Sequence, residues 1–355
     1  MSGVALARVN AVSPSLQVTA DVTQGEWDRF VARHPLASGY HLWKWRHVFE
    51  RAFGHETIYL AARERGSLVG VLPMVVFDSR VFGRFAVSLP FVNYGGVLAR
   101  DEAAAACLVQ RAAAIADERK LAHVELRHTA RQFPGLPARD HKVGMLLRLE
   151  ADRDKAWERL DRKVRNQVRK AEKSQMTARV GGAELLDRFY GVFARNMRDL
   201  GTPVYSRRFF ETVLAECQDA ARVFLVDAGD VTVAGAITLS FKDTVENPWA
   251  SSLREYRTLS PNTLLYWRMI EHAIATGHTI FDFGRSTPNE GTYNFKAQWG
   301  AEPTPLHWEY VLKGGRSLPN LSPSNPKYRA AIAIWTRLPL AVANRLGPYI
   351  VRSIP

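Results

Sequence analysis

Two stretches of this chain repeat one order of elements, and the repeat narrows the folds open to it. In the first, Thr57 to Ala62 reads as a strand, Arg63 to Ser67 as a polar turn and Leu68 to Phe77 as a second strand. In the second, Val223 to Ala228 is a strand, Gly229-Asp230 a hairpin turn and Thr232 to Phe241 its partner. Tyr59 and Phe224, Leu60 and Leu225, Gly70 and Gly235, and Val71 and Ala236 share one offset of 165 residues. Short β-rich runs joined by Gly/Asp turns are hairpin signals. Each stretch continues with a third strand (Phe85 to Phe91; Val245 to Leu253), a helix (Glu102 to Lys120; Asn262 to Thr276) and a short strand (Ala122 to Arg127; Thr279 to Phe283). The second helix carries an apolar stripe of Leu264, Leu265, Trp267, Ile270, Ala273 and Ile274. Asn262 behind Pro261 reads as its N-cap and Gly277 as its stop. The expected class is α/β with mixed sheets, in two units over 1–150 and 151–315, followed by a tail over 316–355.

With 355 residues, 46% hydrophobic and 23% charged, the chain has ordinary globular composition and room for two domains. Cys107 and Cys217 offer neither a metal spacing nor a disulfide framework. Residues 1–18 lack the charged start and apolar core of a signal peptide, and no run is long enough to span a bilayer. A cytoplasmic location is expected. A net charge of +13 favours anionic partners: nucleotide phosphates, tRNA or an acidic lipid surface. No DNA partner is expected.

The densest run of chemistry is Ile280 to Pro303, IFDFGRSTPNEGTYNFKAQWGAEP. A short strand breaks at Gly284-Arg285-Ser286, and Tyr293, Phe295, Lys296 and Trp299 follow before Gly300. A strand that ends in such a turn positions polar groups for a site. Asp282 alternates with Phe281 and Phe283 and so points away from them, toward a base role or a pairing with Arg285. This run resembles the C-terminal signature of FemAB-like transferases, especially the branch associated with exosortase and PEP-CTERM export systems. The element order resembles the GNAT acyltransferase fold, and two GNAT-like units in tandem are what that family implies. The resemblance covers roughly Leu36 to Val311.

The Phe295-Lys296 pair matches the family's Phe-Lys pair, which is expected at the donor end and the reacting carbonyl. An ammonium there can steady negative charge developing on an attacked ester. At an exposed position its loss would cost little stability. Tyr256 matches a tyrosine that lines the acceptor site. Tyr205, beside Arg207 and Arg208, is a candidate for holding a carboxylate or phosphate. Arg165 and Arg169, in the basic helix DRKVRNQVRKAEKSQM, are expected near acceptor phosphates. In the first unit, Trp43-Lys44-Trp45 resembles an early family segment. Asn93 and Tyr94 precede Gly95-Gly96, where two glycines permit close backbone approach to a ligand. The ten histidines are scattered and suggest no nucleophile constellation.

In an acyl-CoA enzyme of this fold, a glycine-rich loop holds the pyrophosphate at a helix N-terminus. The matching segment here is Arg257-Thr258-Leu259-Ser260-Pro261-Asn262, where Pro261 removes one N–H donor. Arg100-Asp101-Glu102 in the first unit places two carboxylates at that point. Both departures count against CoA, whereas the family resemblance implies aminoacyl-tRNA. The donor is left open between the two, and no other cofactor or metal is implied. The expected reaction is direct aminolysis of an activated aminoacyl or acyl ester by an amine of a cell-envelope or exopolysaccharide precursor. The alternatives are an acyl-CoA N-acyltransferase and a non-catalytic binding protein for a lipid-linked sugar.

After Glu309 no acidic residue occurs, while Lys313, Arg316, Lys327, Arg329, Arg337, Arg345 and Arg352 follow. Pro319, Pro323 and Pro326 suggest an extended lead-in to short helices. This tail is expected either to pack on the first unit or to dock at the inner face of an anionic membrane.

Overall fold

The computed structural model describes residues 16–80, 82–314, 317–318 and 326–354. The N-terminal stretch before Leu16 and the lead-in prolines Pro319 and Pro323 lie outside the described residues. The chain divides into two units, residues 1–142 with 305–320 and 353–355, and residues 143–304 with 321–352.

The first unit opens with β1 (Leu16–Thr19), α1 (Gln24–Arg33) and α2 (Lys44–Phe53). There follow β2 (Glu56–Glu64), β3 (Ser67–Ser79), β4 (Gly83–Val87), β5 (Leu98–Ala99), α3 (Glu102–Glu118), β6 (His123–His128) and the start of β7 (Ala138–Arg148), whose residues from Val143 onward belong to the second unit. Thr23 and Glu26 form a capping box at α1, and Asp101 caps α3 by accepting from Ala104 N. Strands β1 to β4 are antiparallel neighbours in sequence order, β4 pairs β6 in parallel, and β6 pairs the late strand β13 (Glu302–Leu312). The core lies between this sheet and α3, with Leu60, Leu72, Leu108, Val109 and Leu126 at its centre.

The second unit holds α4 (Arg153–Arg159), α5 (Arg162–Lys173), β8 (Met176–Gly181), α6 (Leu186–Asp199), α7 (Arg207–Cys217), β9 (Ala221–Ala228), β10 (Val231–Phe241) and β11 (Thr244–Ser252). It continues with α8 (Pro261–Ala275), β12 (Ile280–Ser286) and α9 (Gly291–Ala297). Strands β8, β9, β10 and β11 are antiparallel neighbours, β11 pairs β12 in parallel, and β12 pairs β7 antiparallel. Each unit thus has its own hairpin followed by a parallel pair joined through a helix, as its sequence implies.

The equivalence between units is one residue away from the sequence match. The hairpin loops Arg65-Gly66 and Gly229-Asp230 lie 164 residues apart, and the hairpin registers agree at that shift. Gly70 opposite Ala62 corresponds to Ala234 opposite Val226, not to Gly235. Both β3 and β10 are buried on both faces along most of their length, so no alternation marks which residues share a face.

Three further local expectations change. The N-cap of α8 is Ser260, in the left-handed region with φ 62°, because Pro261 takes the first helical position. The basic segment begins its helix at Arg162, where the Asp161 side chain accepts from Lys163 N. The tail does not complete the first unit. Helices α10 (Pro326–Trp335) and α11 (Leu340–Val351) belong to the second unit, where α11 packs against α6. Gly347 lies so close to the loop after α6 that an added Cβ would stand 2.8 Å from Val204 N. Arg198 Nη1 donates to Leu338 O at 3.0 Å. Among the described residues, no helix is long and apolar enough to cross a membrane.

Candidate active site

Strands β11 and β12 pair in parallel over three positions, Thr244 with Ile280, Val245 with Phe281 and Glu246 with Asp282. Beyond this point each follows its other neighbour, β11 along β10 to Ser252 and β12 along β7 to Ser286. The strands therefore part at Glu246 and Asp282. Asp282 is fully buried and Glu246 nearly so.

A bulge follows on β12. The pairing moves from Asp282 opposite Leu146 to Arg285 opposite Gly144, three residues against two. Gly284, at φ 72°, supplies the conformation. Its N–H turns back and donates to Asp282 Oδ1 at 2.7 Å. The carbonyls of Gly284 and Arg285 accept from Lys296 Nζ at 3.2 and 2.9 Å. Lys296 comes from α9 and is only 8% exposed, so the exposed lysine expected from sequence is instead a buried one. Helix α9 is anchored by aromatic contacts: Phe295 meets Tyr266 at 5.1 Å and Trp299 at 6.2 Å between ring centroids.

Burial pushes the Lys296 ammonium down to about 8. The charge of Asp282 opposes that shift, Arg285 adds to it, and Glu246 opposes it. Its proton is lost near pH 8 in the folded chain against 10.5 in the unfolded one. Between these values the unfolded chain binds more protons, so this lysine's contribution to stability improves as pH rises through the window. A reaction that needs the ammonium runs the other way. We expect the rate of donor consumption to fall as pH rises through about 8 while the melting temperature shows no parallel fall from this group. In Lys296→Arg that falling limb should vanish. A melting temperature that drops in step with the rate would assign the limb to unfolding.

The structure thus brings together Lys296, Asp282 and Arg285, with Phe295 on the adjoining helix face. Tyr256 lies in a 3-10 turn, Arg254–Leu259, and packs on the same core cluster as Phe295. Arg165 and Arg169 stand on α5, whose Val164, Val168 and Ala171 are buried. Thr263 at the start of α8 donates to Gln167 of α5 at 3.2 Å, which sets the basic helix beside the α8 N-terminus. Arg169 lies over the Trp157 ring at 5.5 Å, and Arg165 Nε is buried without a hydrogen-bond partner among the described residues. Tyr205 sits apart, in an aromatic cluster with Phe193, Phe209 and Phe210. The sequence does not single out Glu246, or the Ser286 hydroxyl, as part of this site. Nothing local marks Glu246, and only the strand pairing sets it beside Asp282. The Ser286 hydroxyl is buried without a partner among the described residues.

A cavity of about 430 Å³ in the second unit is lined by Trp267, Trp299, Leu160, Arg159 and Gln298 among others, but by neither Lys296 nor Asp282. Among the described residues no group of His, Cys, Asp and Glu could hold a metal ion.

The first unit closes the corresponding gap. Strands β4 and β6 pair at Ala86 with Val124 and Val87 with Glu125. Ser88 then stitches them: its N–H donates to Glu125 O and its Oγ accepts from Arg127 N, both at 2.8 Å. Arg127 Nε donates to Glu125 Oε1 at 2.7 Å, its guanidinium lies 4.5 Å over Trp308, and Tyr310 OH donates to Glu125 Oε2 at 2.9 Å. Trp45 is a core residue, 1% exposed, whose Nε1 donates to Gly39 O. Asn93 is buried in the loop before Gly95-Gly96. The two glycines pack closely on the chain's own side chains, since a Cβ at Gly96 would stand 2.0 Å from His128 Cδ2 and one at Gly95 2.4 Å from Leu89 Cδ1, and both also line a cavity. Tyr94 lines a cavity of about 130 Å³ with His34, Ser38, His41 and His128. These histidines converge only in the fold. His128 Nδ1 bonds Glu309 Oε2 at 2.8 Å while its Nε2 accepts from Val97 N at 3.0 Å, so the ring is a brace for this loop. Burial pushes His41 down to about 3.

Residues 158–297 match the Acetyltransferase (GNAT) domain family. No curated protein is significantly similar in sequence. Among solved structures, FemX is similar with a TM-score of 0.66 at 16% identity, covering 83% of this chain and 97% of its own. The C-terminal domain of a protein named as a lysylphosphatidylglycerol synthetase, from Agrobacterium fabrum, gives 0.55 at 12% identity over 82% and 92% of the two chains. A tandem GNAT protein from the clavulanic acid biosynthesis pathway gives 0.53 at 13% identity over 85% and 100%. The chain has the GNAT fold, and its residues 158–297 match the GNAT acetyltransferase domain family.

Proposed function

We propose that the chain is an aminoacyltransferase or N-acyltransferase of FemAB type that acts in the cytoplasm. Its acceptor is an amine of a cell-envelope or exopolysaccharide precursor, as in the exosortase-associated branch its sequence resembles. The observation that carries this reading is the buried Lys296 ammonium held by the Gly284 and Arg285 carbonyls at the parting of β11 and β12. The acceptor nitrogen attacks the ester carbonyl carbon, a C–N bond forms, and the carbonyl oxygen takes negative charge that Lys296 steadies. The C–O bond to the donor then breaks. The amine's proton passes, by way of Asp282 or Glu246 at the end of the parallel pairing, to the leaving oxygen. Arg165 and Arg169 on α5, with Tyr256 beside them, would hold phosphates of the donor or acceptor.

The α8 N-terminus supports an aminoacyl ester over CoA. Pro261 has no N–H, and Thr263 N is used by Ser260 O. The similarity to a protein named for lysylphosphatidylglycerol synthesis agrees with such a donor. We expect calorimetric titration with acetyl-CoA to give no saturable binding in the micromolar range, and filter retention of bulk aminoacyl-tRNA to be saturable. Micromolar acetyl-CoA affinity without tRNA retention would overturn the donor assignment in favour of an acyl-CoA N-acyltransferase.

A further inference from the structure

Helix α11 has two apolar faces, and among the described residues only one is buried. Ala343, Gly347 and Val351, spaced four apart, are buried toward α6 and the loop that follows it. Val342, Leu346, Tyr349 and Ile350 form a second stripe at helical spacing and are 40%, 45%, 72% and 39% exposed. Nine large hydrophobic residues of the described chain are strongly exposed, and five of them are these four and Ile334 of α10. That concentration on one short segment differs from the scattered apolar residues of an ordinary surface.

The charge around the stripe is of one sign. Helical spacing places Arg345 and Arg352, both exposed, along the edge of the stripe opposite the buried face. Arg337 is exposed in the turn between the two helices. The chain after Glu309 contains no Asp or Glu. An apolar strip with cations along its margin suits a surface that offers hydrocarbon beneath negative headgroups. The contact at Gly347 and the Arg198 bond to Leu338 O fix the helix to the second unit, so the strip is held open rather than free to fold inward.

We infer that α11 is a docking helix for an anionic lipid bilayer, with Leu346, Tyr349 and Ile350 entering the headgroup region and Arg345 and Arg352 meeting lipid phosphates. This does not depend on which acyl group the enzyme transfers.

The test is flotation of the full chain with vesicles of phosphatidylcholine alone or mixed with phosphatidylglycerol. Binding is expected only to the mixed vesicles. Arg345→Gln with Arg352→Gln should weaken it roughly thirtyfold, at about a factor of five per cation. Leu346→Glu with Tyr349→Glu should weaken it at least about tenfold. Both pairs leave Ala343, Gly347 and Val351 intact, so an unchanged melting temperature separates lost docking from lost folding. Failure of the full chain to bind mixed vesicles, or unchanged binding by both variants, would overturn the inference. So would a concentration-dependent dimer dissolved by the Leu346/Tyr349 pair without effect on vesicle binding, since the stripe would then seat a second copy.

Discussion

Lys296→Met should lower acyl transfer by about 10²- to 10³-fold, the usual loss when a donor aimed at developing negative charge is removed. The folded state should lose much less. Lys296 is buried, so its removal does not resemble trimming a surface side chain. The Gly284 and Arg285 carbonyls lose a charged donor, which costs about 1–3 kcal/mol. Methionine also relieves the burial of a charge, the effect that pushes this lysine down to about 8. The two contributions oppose, and the melting temperature should move by only a few degrees. Initial rates with excess donor and a parallel thermal melt decide the matter. A variant that retains more than half of the wild-type rate would show that Lys296 does not steady the oxyanion.

Arg127→Met should destabilise the first unit by about 3–5 kcal/mol, the largest stability effect we expect from one substitution. Arg127 is 2% exposed and Glu125 is 3% exposed. Methionine fills much of the volume but leaves the Glu125 carboxylate with the Tyr310 hydroxyl and no guanidinium. The contact over Trp308 is lost with it. Adding Glu125→Gln removes the stranded charge and keeps an acceptor for Tyr310, so the double variant should recover most of the loss. Urea unfolding of the wild type, both single variants and the double variant gives the coupling energy. A loss below about 1 kcal/mol for Arg127→Met would mean that water reaches Glu125 and that the closure of β4 against β6 does not rest on this pair.

The two substitutions probe one architectural position in two states. At the end of the parallel pair the second unit holds a buried lysine on the Gly284 and Arg285 carbonyls, whereas the first unit stitches its strands through Ser88 and buries an arginine against Glu125. The similarity of the units in element order therefore does not extend to their chemistry.

Short-range physics made much of this readable in the sequence alone. The hairpin turns at Arg65-Gly66 and Gly229-Asp230, the helices α3 and α8, and the strand-end motif with Phe295-Lys296 depend on turn residues and periodicity within a few positions. Tertiary structure alone decided the rest. It set the register of the repeat at 164 residues rather than 165, because doubly buried strands carry no alternation to mark their faces. It buried Lys296, because a bulge on β12 turned two carbonyls toward α9. It placed Glu246 next to Asp282 and Arg127 beneath Trp308, through pairings between strands far apart in the chain. It also laid α11 against α6 of the second unit and, through Gly347, against the loop that follows α6, a packing that the apolar residues of the helix could not express by themselves.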